Sequence, residues 1–466
     1  MNLDELFLGL PQELPFDMKT KADLFEQYVM NPSHGVMQVN DQGHKHFVAF
    51  LKGQGFELIT FGAIVVGKLL RDEDVSDLLP SLIDYYSEEF GIFFNGIGDT
   101  AGEYWYLMYV NALALEMIRR SFFHDATWRN RVRRVMSTFR KLAHDVDYNF
   151  NDQGYDFAAA QPFTRLDAFR QPDTLGGYAY VMHMGFKLLG DDSYRQEASK
   201  ALMMYQASPT NPWYEIPSGA MAVMSASMLK VEDDAIDLDR ILAFCFDTEN
   251  GCLHHTTWGD KEVQGLMCGW RGHTREEAVN RAYSLESMVP IAFLAPLAKY
   301  HEKFASLLGR YLVHVLANLR WFFSEYLAET EQSRTDLTGT IPYESIRHNE
   351  QGCALFGCGD FHGHKSIYGG ALTLWLGAMI SLTDDPTLLI VDLNKTDFLG
   401  DTSYPTFLCF NPYDDAREVT LSIPAGTWDV YDRYAHRSLA KQTNHFVTLS
   451  IPADTPMVIV LTPSDE

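Results

Sequence analysis

Aromatic side chains and carboxylates occur together in the segments that lead into the predicted helices. Trp and Tyr stand beside Asp and Glu in the stretches 93–106, 151–174, 211–219, 254–273 and 341–364. Aromatic rings stack on the C–H faces of pyranose sugars, while carboxylates and amides bind hydroxyls and exchange protons. Hydrolysis of a glycosidic bond requires two carboxyl groups, one protonated and one ionised. The pattern therefore indicates a sugar-binding site with acid–base chemistry.

Four carboxylates are the leading candidates for this acid and base. Asp99 and Asp173 each directly precede a Thr and a predicted helix, so helix capping explains them as well as catalysis does, and the two roles are compatible. Glu215 stands between Tyr214 and an Ile-Pro pair, an apolar setting in which a structural role is harder to assign. Apolar walls raise the pKa of a carboxyl group and preserve the proton of a general acid. Asp360 lies in the last long loop. Which residue donates and which activates water stays open.

A wider set of loop residues is predicted to contact the substrate. It comprises Glu103, Tyr104, Trp105, Asp156, Trp213, Tyr214, Trp258, Trp270, Arg271, Tyr343, Glu344 and His362. A single aromatic residue is more often part of a core than of a binding platform. The Trp residues, however, fall in equivalent loops, which favours stacking on sugar rings.

A metal site is the alternative interpretation of the last long loop. Cys353, Cys358, Asp360, His362 and His364 offer ligands within a short span, but their spacing matches no standard zinc pattern. The sequence has no GxxxxGKS/T phosphate loop, no GxGxxG fingerprint after a strand and no GxSxG elbow. We therefore expect neither a metal nor a cofactor.

The elements that carry these loops are helices. Apolar residues recur at three- and four-residue spacing over 17–382, which predicts about twelve helices. They fall near 17–31, 55–70, 74–89, 100–120, 125–146, 173–189, 192–206, 216–230, 236–247, 277–298, 300–327 and 364–382. Segments such as 173–189 and 216–230 are apolar nearly all round and rich in small residues, whereas 125–146 and 192–206 each have one charged face. The first class is predicted to form an inner ring of helices and the second an outer ring.

The connections between these helices alternate in length. Inner-to-outer connections are short, whereas the outer-to-inner connections 147–172, 248–276 and 328–363 are long. Long loops inside a compact domain are usually functional. They all return to the end of the bundle where the inner helices begin. The sequence therefore predicts a mainly α fold, an (α/α)6 toroid of helical hairpins with the long loops on one face.

The chain changes character after residue 382. Segments near 388–392, 406–410, 418–423, 428–431, 445–451 and 457–461 alternate apolar and polar residues and are separated by Pro, Gly, Asn and Asp. This pattern predicts a small antiparallel β-sandwich. We assign 1–385 to a catalytic toroid and 386–466 to the β-sandwich, where catalytic residues are not expected.

The predicted architecture resembles the α/α-toroid, or six-hairpin, glycoside hydrolases and polysaccharide lyases, many of which carry a C-terminal β-sandwich. The resemblance covers essentially the whole chain but is architectural, without a diagnostic motif of one family. It implies an active site at the N-terminal ends of the inner helices. It also implies a glycoside hydrolase acting on an oligosaccharide, commonly with inversion, through a carboxylic acid and a carboxylate base.

Three other functions remain open at this point. A polysaccharide lyase would use Tyr155, Tyr343 or a loop histidine as base. The histidines are His254, His255 and His273, and the arginines that could neutralise a uronate are Arg165, Arg170, Arg271 and Arg347. A sugar epimerase would depend on paired histidines. A non-catalytic carbohydrate-binding protein would keep the aromatics without needing the carboxylates.

Composition limits the possible partners. Asp and Glu number 62 against 37 Lys and Arg, a formal net charge of -25, which repels nucleic acid and anionic membrane surfaces. The start of the sequence lacks the pattern of a secretory signal, and the most apolar segments, 59–70 and 369–382, are too short to span a membrane. The six cysteines are scattered, as expected of reduced thiols. We expect a cytoplasmic enzyme acting on a short oligosaccharide. The sugar, the linkage and the oligomeric state stay open.

Overall fold

The computed structural model describes residues 3–15, 17–231, 234–269, 275–335, 339–348, 356–358, 365–381 and 383–464. Four of the predicted site residues, Trp270, Arg271, Asp360 and His362, lie outside these ranges.

Most of the predicted helices form close to the expected positions. The α-helices of the described residues are α1 Met18–Met30, α2 Leu58–Leu70, α3 Tyr104–Ser121, α4 Ala126–Asp145, α5 Thr174–Leu189, α6 Asp192–Gln206, α7 Ile216–Lys230, α8 Leu238–Cys245, α9 Arg275–Val279, α10 Ser284–Leu294, α11 Leu297–Tyr300, α12 Ala305–Asn318, α13 Ile367–Gly370 and α14 Leu372–Met379. Short 3₁₀ helices cover Leu3–Glu5, Pro32–His34, Leu79–Tyr85, Asp167–Phe169, Glu302–Phe304, Leu319–Phe322, Ser324–Tyr326 and Glu329–Glu331. The helix expected at 74–89 is wrong: a 3₁₀ turn with Pro80 near its start takes its place, since Pro cannot donate the hydrogen bond of a helix interior.

The two predicted classes of helix differ in burial as expected. Every residue of α2 except Leu69 is buried, whereas α4 buries one apolar stripe. Small residues let the inner helices approach closely. A Cβ atom at Gly176 of α5 would lie 2.5 Å from the Cβ of Ala222 in α7, and one at Gly177 would lie 2.9 Å from the Cβ of Met108 in α3. Larger side chains at these positions would force the helices apart.

The inner helices pack in a closed cycle. In order, α2 contacts α3, α3 contacts α5, α5 contacts α7, α7 contacts α10, α10 contacts α13 and α14, and these two contact α2. The remaining long helices pack outside this cycle, with α1 on α14, α4 and α6 on α5, α8 on α7, and α12 on α10.

Short strands lie between the helices, and longer strands form the C-terminal part. They are β1 Met37–Val39, β2 Lys45–Phe47, β3 Tyr86–Ser87, β4 Ile92–Phe93, β5 Ala101–Glu103, β6 Gly154–Asp156, β7 Gln161–Phe163, β8 Thr257–Trp258, β9 Lys261–Glu262, β10 Arg281–Tyr283, β11 Ser345–Arg347, β12 Phe356–Cys358, β13 Ile380–Ser381, β14 Leu389–Asp392, β15 Thr406–Asn411, β16 Arg417–Ser422, β17 Trp428–Asp432, β18 Arg437–Thr443, β19 Phe446–Ile451 and β20 Thr455–Pro463. In the loops, β5 pairs with β6 and β6 with β7, while β11 lies between β10 and β12.

Two antiparallel sheets make up the C-terminal part. One has the strand order β13-β14-β15-β20-β17-β18, and the other consists of β16 and β19. Apolar side chains such as Val419, Leu449 and Ile459 form a core shared by the two sheets. The larger sheet also packs on the helices, since Phe410 of β15 fills the space beside Gly309 of α12.

A buried ion pair connects the helices to the loop between β14 and β15. Lys299 Nζ lies 3.0 Å from Asp397 Oδ2, and the two side chains are 7% and 1% exposed. Lys299 also donates to Asn394 Oδ1 at 2.8 Å, and the Tyr300 hydroxyl donates to Asp397. Among the described residues, no helix combines the length and the apolar character needed to cross a membrane.

Candidate functional site

A cavity of about 450 Å³ opens where the inner helices begin. Its acidic lining residues are Glu57, Glu103, Glu215, Glu286 and Glu344. Its aromatic lining residues are Phe50, Trp105, Tyr106, Phe169, Tyr214, Tyr283 and Tyr368. Gln153 and Arg165 complete the lining.

The position of three glutamates relative to the helices explains why they face the cavity. Glu57, Glu103 and Glu215 each occupy the residue directly before α2, α3 and α7, with an extended backbone. None of the three side chains makes the usual capping hydrogen bond to the first turn of its own helix. The positive ends of the helix dipoles point to the same space and favour negative charge there.

Glu215 is one of three buried acids in this cavity, with Glu286 and Glu344. Its Oε2 has no hydrogen-bond partner among the residues that the structure describes. Burial raises the pKa of Glu215 well above its usual range, and the charges of Glu286, Asp173 and Glu103 raise it further. The raised pKa favours the protonated form of Glu215, whose side chain lines the cavity.

Asp173 holds the Glu215 backbone in place. Asp173 Oδ2 accepts hydrogen bonds from the backbone N–H of Tyr214 at 2.9 Å and of Glu215 at 2.7 Å. Capping of α5 by Asp173 was one expectation from the sequence, but its side chain makes no such bond to that helix. The carboxylate instead connects the start of α5 to the start of α7, a positioning role.

Glu103 is held in a different environment. Gln153 Nε2 donates to Glu103 Oε1 at 2.9 Å, and Gln171 Nε2 donates to Oε2 at 3.0 Å. Gln171 Oε1 in turn accepts from the Trp105 backbone N–H at 2.8 Å. Pairing of β5 with β6 places Gln153 beside Glu103, because Glu103 stands opposite Gly154. Amide donors to both oxygens stabilise the ionised form of a carboxyl group.

Glu286 and Glu344 lie on the side of the cavity formed by α10. Glu286 is in the first turn of this helix, is buried, and has no hydrogen-bond partner for Oε2. Burial and then the charge of Glu344 raise the pKa of Glu286 to about 8. Glu344 accepts from the Tyr368 hydroxyl at 3.1 Å, and its carbonyl accepts from the Ser284 N–H at 2.9 Å.

Burial also raises the pKa of other groups in the cavity. Burial raises the pKa of Tyr106, Tyr214 and Tyr368, and nearby glutamates raise these values further. Burial also raises the pKa of Glu57, which the Asn95 amide partly offsets. The tyrosines can therefore bind sugar hydroxyls and present ring faces, but they are poor bases.

The structure brings five of the predicted residues together in this cavity. They are Glu103, Trp105, Tyr214, Glu215 and Glu344. Asp173 lies behind the lining and acts on Glu215. Asp99 is exposed and accepts from the Gly96 N–H at 2.9 Å, so it stabilises a turn. Asp156 similarly accepts from the Ala159 N–H at 2.9 Å.

The other predicted aromatics lie outside the cavity lining. Trp213 is fully buried against Gly219, and Tyr104 packs edge-on against Phe150 at 5.2 Å. The Tyr343 hydroxyl donates to the Arg334 carbonyl at 2.8 Å, and its ring packs on Gly357. These three side chains are core residues because small or apolar neighbours enclose their rings.

Trp258 belongs to a second cavity, of about 480 Å³. Its lining includes His254, His255, His348, Cys252 and Cys268. In the part of the chain that the structure describes, no group of three or more His, Cys, Asp or Glu residues is arranged to hold a metal ion. Of the metal ligands considered from the sequence, only Cys358 lies in the described ranges, where it is buried beside Ser345.

Sequence reasoning missed Glu57, Glu286, Tyr106, Tyr283 and Tyr368. A signal existed for Glu57, since Glu57, Glu103 and Glu215 each stand immediately before an inner helix. A signal also existed for Glu286, because it is an acid inside the otherwise apolar run 284–294. The three tyrosines carry no comparable mark.

Comparisons with known proteins find structural likeness only. No known family model and no curated protein sequence matches the chain. Cellobiose 2-epimerase from Bacillus thermoamylovorans B4167 is similar with a TM-score of 0.50 at 8% identity, covering 77% of this chain and 97% of that one. At this identity the likeness shows a shared fold alone.

Two further solved structures are similar at lower scores. A family 76 glycoside hydrolase (mannosidase) from Bacteroides thetaiotaomicron VPI-5482 has a TM-score of 0.47 at 10% identity, covering 78% of this chain and 97% of that one. A D-mannose isomerase has a TM-score of 0.46 at 11% identity, covering 78% and 96%.

Proposed function

We propose that this chain is a glycoside hydrolase in which Glu215 is the general acid and Glu103 the general base. In this proposal residues 1–385 form an (α/α)6 toroid and 386–466 a β-sandwich. The supporting observation is that two carboxyl groups of one aromatic cavity lie in opposite environments. Glu215 is buried with a raised pKa and an oxygen that has no partner, whereas two amide groups donate to Glu103. One carboxyl group that donates a proton and one that accepts a proton are what glycoside hydrolysis requires.

The proposed reaction proceeds with inversion. Glu215 donates its proton to the glycosidic oxygen as the bond from the anomeric carbon to that oxygen breaks. A water molecule attacks the anomeric carbon from the opposite face, and Glu103 accepts a proton from this water. The products are an alcohol and a sugar of inverted configuration. Glu215 ends ionised and Glu103 protonated, and proton exchange with solvent restores both.

The cavity supports hydrolysis better than elimination. A lyase of this fold would need a base on the cavity wall, but burial raises the pKa of Tyr106, Tyr214 and Tyr368. Tyr343 and Tyr155, the bases considered from the sequence, do not line the cavity. Arg165 is the lining arginine among the described residues, and it stands against five glutamates.

Epimerisation receives less support from the same lining. It would depend on paired histidines, and the described lining of this cavity contains none. His254, His255 and His348 line the second cavity instead. A non-catalytic carbohydrate-binding protein would not need a buried carboxyl group of raised pKa together with an amide-bound carboxyl group in the same cavity.

A panel of neutral and uronate-containing oligosaccharides tests the proposal. Purified protein is incubated with each, and reducing ends are measured together with the ultraviolet absorbance of unsaturated sugars. New reducing ends without this absorbance support hydrolysis. Matching absorbance means elimination and refutes it, and a 2-epimer without new reducing ends means epimerisation. Proton NMR of the first product then tests inversion, and retention of configuration would overturn the assignment of Glu103 as base.

A further inference from the structure

The cavity contains another buried carboxyl group that the proposed reaction does not use. Glu286 is only 5% exposed, and its Oε2 has no hydrogen-bond partner in the described part of the chain. It lies in the first turn of α10 and lines the same cavity as Glu215. Buried polar atoms are almost always hydrogen-bonded, so an oxygen left without a partner on a cavity wall points to a ligand that satisfies it.

The titratable groups that the described residues place around Glu286 are acids. They are Glu215 from the residue before α7, Glu344 from the segment before β11, Tyr106 and Tyr109 from α3, and Tyr368 from α13. Neighbouring carboxyl groups cannot both ionise at low cost in a water-poor site. With a pKa of about 8, Glu286 is neutral at neutral pH and can donate a hydrogen bond from its carboxyl O–H.

We propose that Glu286 is a specificity-determining residue that donates a hydrogen bond from Oε2 to a hydroxyl of a neutral sugar, so that the cavity accepts neutral sugars and rejects uronates. This inference rests on the proposed function for the class of ligand. A bound sugar displaces water from Glu286, and desolvation is the largest cause of its raised pKa, so binding favours the protonated form further. A uronate would add a negative charge beside Glu103 and Glu344, and Arg165 is the single cationic side chain of the described lining against its five glutamates.

The test measures ligand binding without turnover. The Glu215→Gln variant is titrated by calorimetry with cellobiose, mannobiose and maltose, and with the uronic acid counterpart of each. At about pH 6, the best neutral disaccharide should bind at least ~10-fold tighter than its uronate counterpart, because the uronate brings an unpaired charge into the cavity. Between about pH 6 and pH 9.5, the affinity for the neutral sugar should fall about tenfold as Glu286 loses its proton.

Two substitutions at Glu286 in the Glu215→Gln background separate the hydrogen bond from general packing. Glu286→Gln keeps an N–H donor, so affinity at about pH 6 should stay within ~3-fold and the fall with pH should disappear. Glu286→Met fills a similar volume without a donor and should weaken binding about 10-fold or more, because the sugar hydroxyl loses its partner. Circular dichroism at both pH values verifies that each variant is folded. If the Met variant does not fold, comparing the pH dependence of affinity in the Gln variant and in its parent still tests the proposal.

Several outcomes would overturn the proposal. An unchanged pH dependence in Glu286→Gln would mean that another group causes it, and an affinity that rises with pH would mean that Glu286 binds as a carboxylate. Equal binding of the uronate would refute the charge selection. The proposed function can fail separately: absence of hydrolysis by the wild-type protein refutes the reaction, while a pH dependence that requires Glu286 would still support its role in binding.

Discussion

Replacing Glu215 by Gln removes one transferable proton from the cavity and leaves its shape almost unchanged. The amide has the volume of the carboxyl group, and the backbone N–H of residue 215 still donates to Asp173 Oδ2, 2.7 Å away. Because Oε2 has no partner among the described residues, the substitution breaks none of their hydrogen bonds at that atom. The fold and the affinity for substrate should therefore change little, whereas proton donation is lost.

The magnitude follows from the role of a general acid. Loss of a positioned proton donor should lower kcat by about 10²–10⁴-fold, which raises the barrier by about 3–5 kcal/mol. The dependence of activity on pH provides an independent test of this role. Glu215 must be protonated to act, so wild-type activity should be present below its raised pKa and be lost as pH rises through that value. This alkaline loss should be absent from the residual kcat of the variant at saturating substrate.

The assay compares two leaving groups. An oligosaccharide needs protonation of its leaving oxygen, whereas an aryl glycoside with an acidic phenol does not. Glu215→Gln should therefore lose far more activity on the oligosaccharide. Glu418→Gln, at an exposed position of β16, is the control and should behave as wild type. Wild-type turnover in Glu215→Gln, or equal losses on both substrates, would remove Glu215 as the acid.

Three further predictions concern stability. Asp173→Ala leaves the backbone N–H groups of Tyr214 and Glu215 without their acceptor and should lower the free energy of unfolding by about 2–6 kcal/mol, measured in urea. Lys299→Met leaves Asp397 buried without its cation and should cost about 3–5 kcal/mol in the same assay. His183 is buried with its pKa lowered to about 3, so the unfolded state binds a proton first as pH falls below about 6.5. Stability should fall by about 5 kcal/mol from this group between these values, and His183→Met should remove that loss.

Controls for these variants lie at exposed positions of the same types. Asp414→Ala and His124→Met should change stability by less than about 0.5 kcal/mol, as surface substitutions usually do. Lys303→Met breaks only an exposed pair with Asp239 and should cost less than about 1 kcal/mol. An effect of Asp173→Ala or Lys299→Met no larger than that of its control would contradict the structural roles assigned above. For His183, a loss of stability at acid pH that the substitution leaves unchanged would contradict its assigned role.

The sequence by itself determined the elements and their classes. The helices at 192–206 and 216–230 form within the predicted bounds, because capping and burial are local: Asp191 accepts from the Ser193 N–H, and small residues fill α7. The predicted strands after 382 also form, since alternation of apolar and polar residues records which face is buried. Burial of a helix on all sides leaves a mark in its composition, so the two classes of helix were readable without coordinates.

Only the tertiary structure decided which acids share a site. Glu286 is distant in sequence from Glu103 and Glu215, and it joins them only because the inner helices close into a cycle. Trp213 resembled a sugar platform in sequence, yet Gly219 lets α7 approach its ring, which encloses it in the core. The Asp173 side chain likewise accepts hydrogen bonds from the segment before α7 and makes no capping bond to its own helix, α5. Proton affinity depends on desolvation and on neighbouring charges, and both are properties of the packed ring of helices, not of any one segment.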